Sequence, residues 1–170
     1  MRAFFLANVG GRGPVNLVLL GRMVLDPTRS TAFGFWRMAR DYLHAARAVK
    51  AAHGERKLYP RLYLYGLAIE LALKAFLLKR GNSLSEVKKL SHDLVRLLSL
   101  ARRRRLGREV KLSPRELGAV RALQVTYSSD QLRYIVTGNT VVPRVNALSA
   151  AAESIVAGVE HYCTGYRGHA

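Results

Sequence analysis

The chain has little cysteine: Cys163 is alone among its 170 residues. One cysteine cannot build a disulfide framework or a cysteine-based zinc site, so we expect a reducing, cytoplasmic setting. Signatures of a serine nucleophile and of a metal centre are also missing. The glycines at residues 10–13 lack the Lys-Ser or Lys-Thr that completes a phosphate-binding loop. The sequence therefore predicts neither a cofactor nor a metal.

Acidic residues are scarce as well. Eleven Asp and Glu face 28 Lys and Arg, which gives a formal net charge of +17. A charge of this size attracts polyanions and carries no information about fold. Nucleic acid is the first candidate partner and an acidic protein is the second. Because 21 of the basic residues are Arg and only 7 are Lys, a general arginine bias in composition is an alternative explanation.

The chain also lacks long apolar runs. No run approaches the ~18 residues that a membrane-spanning helix needs, and residues 15–20 are too short for a signal peptide. We therefore expect no membrane association. Apolar residues still make up 49% of the chain. At this length, that content is enough for one domain with a substantial core.

The spacing of the apolar residues predicts an all-α fold, an up-and-down bundle of four to six helices. The bundle should occupy residues 30–165, between an irregular extension at 1–29 and a tail at 166–170. The extension carries Gly10, Gly11 and Gly13, and a hairpin, a disordered segment or a start codon placed too early would each explain it. With a loop at 128–142, the expected helices are 30–53, 59–80, 84–89, 91 to just before Gly107, 113–127 and 143–162.

The central predicted helix, 59–80, carries an acid and a base among apolar neighbours. Glu70 and Lys74 are four residues apart with the acid first, the better order for a helical ion pair. His92 and Asp93 open a following helix, where Asp93 can accept from free amides. Short links place such helices side by side, so we expect these four residues to converge. They form either an ion-pair cluster that fixes helix register or a functional polar pocket.

The pattern Glu70-x-x-x-Lys74-Ala75, followed by Ser91-His92-Asp93-Leu94, resembles the HEPN family (higher eukaryotes and prokaryotes nucleotide-binding). The resemblance extends over about residues 33–162 and includes two further short segments, Tyr42-Leu43-x-Ala45-Ala46 and Leu132-Arg133-Tyr134. It implies a bundle of four or five helices and a link to RNA or nucleotides, without fixing an activity.

The resemblance also suggests roles for Arg133 and Tyr134. Family members often carry Arg-Tyr-Pro before the last helix, and here Ile135 replaces the proline. Tyr134 could stack or donate a hydrogen bond, and Arg133 could pair with Glu70 or Asp93. We include both residues in the candidate polar cluster.

Catalytic members of this family carry an Arg followed, after four to six residues, by a His. The chain has the pairs Arg37–His44 and Arg47–His53, but about two such matches are expected by chance in so arginine-rich a sequence. Both pairs lie in the first helix rather than late in the bundle, and His92 has no Arg at that spacing. The catalytic candidates are therefore His92, His44 and Arg37, and we expect no cleavage.

The most basic segment lies between the two halves of the bundle. Residues 96–121 contain nine basic and two acidic residues. The candidates for contacting phosphates are Arg102, Arg103, Arg104, Arg105, Arg108 and Lys111. The alternative is a solvated helix end whose cations complement the helix dipole.

Our leading hypothesis is a non-catalytic HEPN-like domain that binds RNA, a nucleotide or a partner protein. Such a partner could be a nucleotidyltransferase-type antitoxin, in a toxin–antitoxin or defence context, and we expect a homodimer. The rival hypothesis is a metal-independent endoribonuclease toxin. A third hypothesis is a structural dimerisation domain whose basic surface reflects composition alone.

Overall fold

The computed structural model describes residues 30–128, 132 and 142–165. All regular structure in these residues is helical, which confirms the all-α prediction. A 3-10 turn at Leu106–Arg108 lies between α4 and α5, and the α-helices are α1 Ala32–His53, α2 Leu58–Lys79, α3 Leu84–Lys89, α4 Leu94–Arg103, α5 Pro114–Ser128, α6 Val145–Gly158 and α7 Glu160–Thr164. The predicted extension at 1–29, most of the loop at 128–142 and the tail at 166–170 lie outside the described residues.

Helix α2 is the centre of the bundle. From Tyr65 to Leu77 almost every side chain is buried, as a helix that is apolar on all sides requires. The short link at residues 54–57 turns α1 back along α2, while α4, α5, α6 and α7 also contact it. The core therefore surrounds α2, and any charged group on its middle turns must be satisfied inside the protein.

Local signals account for the ends and the buried face of α1. The Thr31 hydroxyl accepts from the Gly34 amide at its start, and Gly54 ends it with a φ of 57°. The Trp36 indole donates to the Val156 carbonyl at 3.0 Å, which ties α1 to α6. The buried face repeats every three or four residues, at Ala32, Trp36, Ala39, Leu43 and Ala46.

Helix α4 starts later and ends earlier than predicted. Ser91 has a left-handed backbone with φ 47°, which cannot continue a helix, so Asp93 becomes the N-cap and its Oδ1 accepts from the Arg96 amide at 2.9 Å. At the other end the helix stops at Arg103 rather than just before Gly107. Arg105 is also left-handed, with φ 70° and ψ 28°.

The predicted continuous last helix, 143–162, is wrong in one respect: it breaks at Val159 into α6 and α7. Gly158 explains the position. A Cβ at Gly158 would lie 2.9 Å from the Glu109 carbonyl oxygen, so the missing side chain lets the segment after the 3-10 turn approach α6.

A polar network not anticipated from the sequence holds that segment in place. The Tyr162 hydroxyl donates to Glu109 Oε1 at 2.5 Å and accepts from Arg80 Nη2 at 2.8 Å. The Arg80 guanidinium lies 4.5 Å from the centre of the Tyr162 ring, and His161 Nε2 lies 3.4 Å from Glu109 Oε2. The network joins the end of α2, the segment after the 3-10 turn, and α7.

The Tyr127 ring of α5 packs directly on Gly66 of α2. A Cβ built there would lie 2.4 Å from Cε2 of the Tyr127 ring, which is impossible without displacing the ring. Tyr127 is buried and cannot simply swing into solvent. The glycine is therefore a packing requirement inside a helix that would otherwise favour alanine.

We expect Gly66→Ala to lower the free energy of unfolding by about 1–3 kcal/mol, because overpacking displaces Tyr127. Gly118→Ala is the matched control: it is a helical glycine whose added Cβ meets nothing within 4 Å. That change should raise stability by about 0.5–1 kcal/mol through helix propensity. Thermal or urea unfolding of both variants checks this, and equal effects would contradict the close-approach explanation.

Candidate functional site

Three polar side chains meet at one buried carboxylate, that of Glu70 in α2. Lys74 Nζ donates to Glu70 Oε1 at 2.6 Å, one turn along α2. The Tyr127 hydroxyl, from the last turn of α5, donates to Oε2 at 2.7 Å. His92 Nδ1, from the turn before α4, lies 2.9 Å from the same oxygen. We call Glu70, Lys74, His92 and Tyr127 the Glu70 cluster.

The side chains of the Glu70 cluster become more exposed from the core to the surface. The side chain of Glu70 is 3% exposed and that of Lys74 is 10% exposed, whereas His92 is 43% exposed. The His92 ring meets the Tyr127 ring edge-on, with the centroids 6.1 Å apart. The carboxylate thus lies inside the protein while the imidazole it orients reaches solvent.

Glu70 is held in its charged form. Burial alone would raise its pKa, since desolvation penalises the carboxylate. Hydrogen bonds from Lys74, Tyr127 and His92, together with the charge of Lys74, outweigh that penalty and hold the pKa of Glu70 below its ordinary value. The interaction of Glu70 with its donors therefore stabilises the fold at neutral pH.

The structure brings together Glu70, Lys74 and His92, as their sequence positions predicted. Asp93 does not join them: its carboxylate caps α4 and lies 3.4 Å from the Arg96 guanidinium. The physical reason is that the cap position turns the side chain toward the amides of its own helix.

The remaining candidates predicted from the sequence are placed elsewhere. Arg37 and His44 are exposed on α1, and within the described part of the chain neither makes a hydrogen bond or ion pair with the Glu70 cluster. Arg133 and Tyr134 lie outside the described residues.

Two residues of the site were missed by sequence reasoning. Tyr127 was treated only as the end of a helix, and Gln124, one turn earlier, accepts from the Leu94 amide with its Oε1 at 2.6 Å. No short motif marks either residue. Gly66 was a usable signal, because a glycine inside a strongly helical segment often marks a close packing partner.

The second candidate region is the end of α4, which we call the basic turn: Arg102, Arg103, Arg104, Arg105, Arg108 and Lys111. All six side chains are exposed. Lys111 Nζ donates to the Gly107 carbonyl at 2.7 Å, a contact that leaves its charge unneutralised.

Within the described part of the chain, the positive charges of the basic turn are not neutralised by ion pairs. No acidic side chain of the described residues forms an ion pair with its five arginines. The acid they influence is the exposed Glu86, whose pKa is lowered chiefly by hydrogen bonds with Ser83 and least by the Arg104 charge. The turn therefore presents a dense positive charge to solvent.

The described residues show neither a metal centre nor a membrane-spanning helix. Nowhere in the described chain do three or more His, Cys, Asp or Glu side chains gather in a way that could hold a metal ion. The described helices include none that is both long and apolar enough to cross a membrane. Comparison with family models, with curated proteins and with solved structures finds no match to this chain.

The Glu70 cluster predicts a specific pH dependence. Because the pKa of Glu70 is depressed on folding, its contribution to stability is complete above the ordinary value near 4.5 and is lost as the pH falls through the lower folded value. Glu70→Gln should remove this acid-side slope. At neutral pH it should also lower stability by about 3–5 kcal/mol, since Lys74 then keeps a buried charge without its partner.

Urea unfolding across pH 3–7 measures both effects. Glu153→Gln is the control, because Glu153 pairs with Arg47 at the surface and such a pair contributes less than about 1 kcal/mol. Parallel pH profiles for the wild type and Glu70→Gln would contradict the role given to this carboxylate.

Proposed function

We propose that the protein is a non-catalytic HEPN-like helical domain that binds RNA through the basic turn. The single observation that carries the proposal is the group of exposed cations at the end of α4, whose arginines pair with no acidic side chain among the described residues. Cations placed in this way neutralise phosphates and release the counterions condensed on a polyanion.

The backbone at Arg105 supports a role beyond folding. Its left-handed conformation costs a residue with a side chain about 1–2 kcal/mol, whereas glycine adopts it freely. Strain of this kind concentrates at functional positions. An arginine at a position that favours glycine is therefore best explained by the use of its guanidinium.

In the proposed complex, the basic turn contacts phosphates rather than base edges. Four consecutive arginines at a helix end wrap around the axis and cannot all align with one groove. Contacts to phosphate fix position and affinity without sequence information. We thus expect affinity that depends strongly on salt and weakly on sequence.

Replacing Arg102 through Arg105 by Ala should weaken RNA binding and flatten its salt dependence. Each phosphate interaction removed in this way should lower the slope of log affinity against log salt by about 0.7 for single strands. A control with the same change in net charge replaces four exposed arginines elsewhere: Arg37, Arg56, Arg115 and Arg121. Fluorescence anisotropy over a salt series compares the RNA affinities of the two variants. If both lose affinity equally, binding depends on total charge and the basic turn has no special role.

A second variant separates binding from folding. Arg105→Gly relieves the left-handed strain, so its stability should equal the wild type or exceed it by up to about 1 kcal/mol. Its RNA affinity should nevertheless fall. If Arg105→Gly changes neither the RNA affinity nor the stability, Arg105 does not contact RNA.

One observation favours a second candidate, the metal-independent endoribonuclease. His92 is half-exposed and its Nδ1 faces a buried carboxylate, the arrangement that orients a histidine as a general acid or base. Cleavage also needs a cation beside the phosphate. Among the described residues, however, no arginine makes a hydrogen bond or ion pair with the Glu70 cluster.

We therefore expect purified protein to leave a broad panel of RNAs uncut. If cleavage is seen, His92→Ala and His44→Ala identify its source, with circular dichroism as the check that each variant remains folded. Loss of cleavage in a folded His92→Ala variant would replace the binding proposal with the ribonuclease.

A further inference from the structure

An apolar slot of about 240 Å³ opens beside the basic turn. Its cationic residues are Arg102 and Lys111, both exposed, and Gly107 supplies part of the lining. The rest of the lining is aliphatic, from Leu98, Leu106, Val110, Leu112 and Leu117. We call this cavity the Leu98 slot.

The size of the slot limits what it can hold. A cavity of about 150 Å³ lined by aliphatic and aromatic side chains accepts benzene, and sites for drug-sized ligands start at about 300 Å³. The Leu98 slot falls between them and therefore suits one planar ring system. The aliphatic walls favour the face of a ring over a charged group.

The charges at the slot point to the chain that would carry such a ring. Arg102 and Lys111 belong to the basic turn, so a ring entering here would remain linked to a chain of phosphates. Lys111 donates one of its three hydrogens to the Gly107 carbonyl, which holds the ammonium beside the slot with two donors left. In an RNA duplex the bases are stacked and paired, and only unpaired bases can be splayed out into a pocket.

We propose that the Leu98 slot receives one unpaired RNA base while Arg102 and Lys111 contact the phosphates that flank it. The inference rests on the proposed function and adds its substrate class: single strands, loops or bulges rather than duplex. Apart from the two cations, the lining offers no polar side chain to read base edges and no aromatic ring. The slot therefore selects for an accessible base without selecting its identity.

The segment that forms the slot is held rigidly enough for this role. Glu109, between the 3-10 turn and Val110, bonds to Tyr162 and lies 3.8 Å from Arg80. Its backbone packs directly against Gly158. Binding a base here does not require the slot to be rebuilt, so little ordering of the protein opposes it.

The experiment compares probes of equal charge. A short single-stranded RNA, the same ribose-phosphate chain without bases, and a shorter duplex with the same total number of phosphates are titrated by anisotropy at one salt concentration. The intact single strand should bind at least about fivefold more tightly than the abasic chain, the factor expected from burying about 40 Å² of ring surface at about 25 cal/mol per Å². Equal binding of these two probes overturns the slot, whereas failure of every probe to bind at low salt overturns the proposed function itself.

A variant that fills the slot locates the effect. Leu117→Phe and Leu112→Phe are suitable because each enlarges a partly buried side chain of the lining, and Val125→Phe, at an exposed position of α5, is their control. Leu117→Phe should abolish the preference for bases and keep the binding of the abasic chain, and Leu112→Phe should act in the same way. Retention of the preference in both folded variants overturns the proposal.

A spectroscopic signature distinguishes slot entry from phosphate contact. An RNA carrying 2-aminopurine, which stacking quenches, should become brighter on binding because the base leaves its stack for a lining without aromatic rings. Leu117→Phe should remove that increase. An unchanged or quenched signal with wild-type protein, at saturating binding, contradicts entry of the base into the slot.

Discussion

The structure depends on satisfying one buried carboxylate. Glu70 lies in the middle of α2, the helix that every other long helix contacts, and a charge there is tolerated only when it is paired and hydrogen-bonded. Three donors meet this need, one from α2 itself, one from the turn before α4 and one from α5. Because each donor must arrive within hydrogen-bonding distance, the carboxylate restricts where α4 begins and how α5 crosses α2.

Because the start of α4 is fixed in this way, the exposed end of the same helix is fixed as well. At its start the Leu94 amide is bonded to Gln124, one turn from the tyrosine that contacts Glu70. Its ten residues then span about 15 Å and end at the basic turn. The interior cluster and the exposed cations are therefore two ends of one rigid element, and the Glu109 network holds the segment that follows. A surface of arginines would be poorly defined without this support.

The Glu70 cluster and the basic turn differ in whether folding alone accounts for their charges. Inside the protein, paired charges account for stability and helix register without any ligand. At the basic turn no acidic side chain of the described residues pairs with the arginines, and Arg105 occupies a left-handed backbone position that favours glycine. The RNA-binding proposal accounts for both features, and the resemblance to the HEPN family stays a prediction beside it.

Local physics determined much of this protein from its sequence. The apolar period predicted the helices to within a few residues, and the spacing of Glu70 and Lys74 predicted their pair. The short link to His92 brought the imidazole within reach of Glu70. Only the tertiary structure supplied Tyr127, 57 residues from its carboxylate partner, the Gly66 contact and the Leu98 slot. These depend on how helices cross, which side-chain packing across distant segments decides and local sequence patterns do not encode.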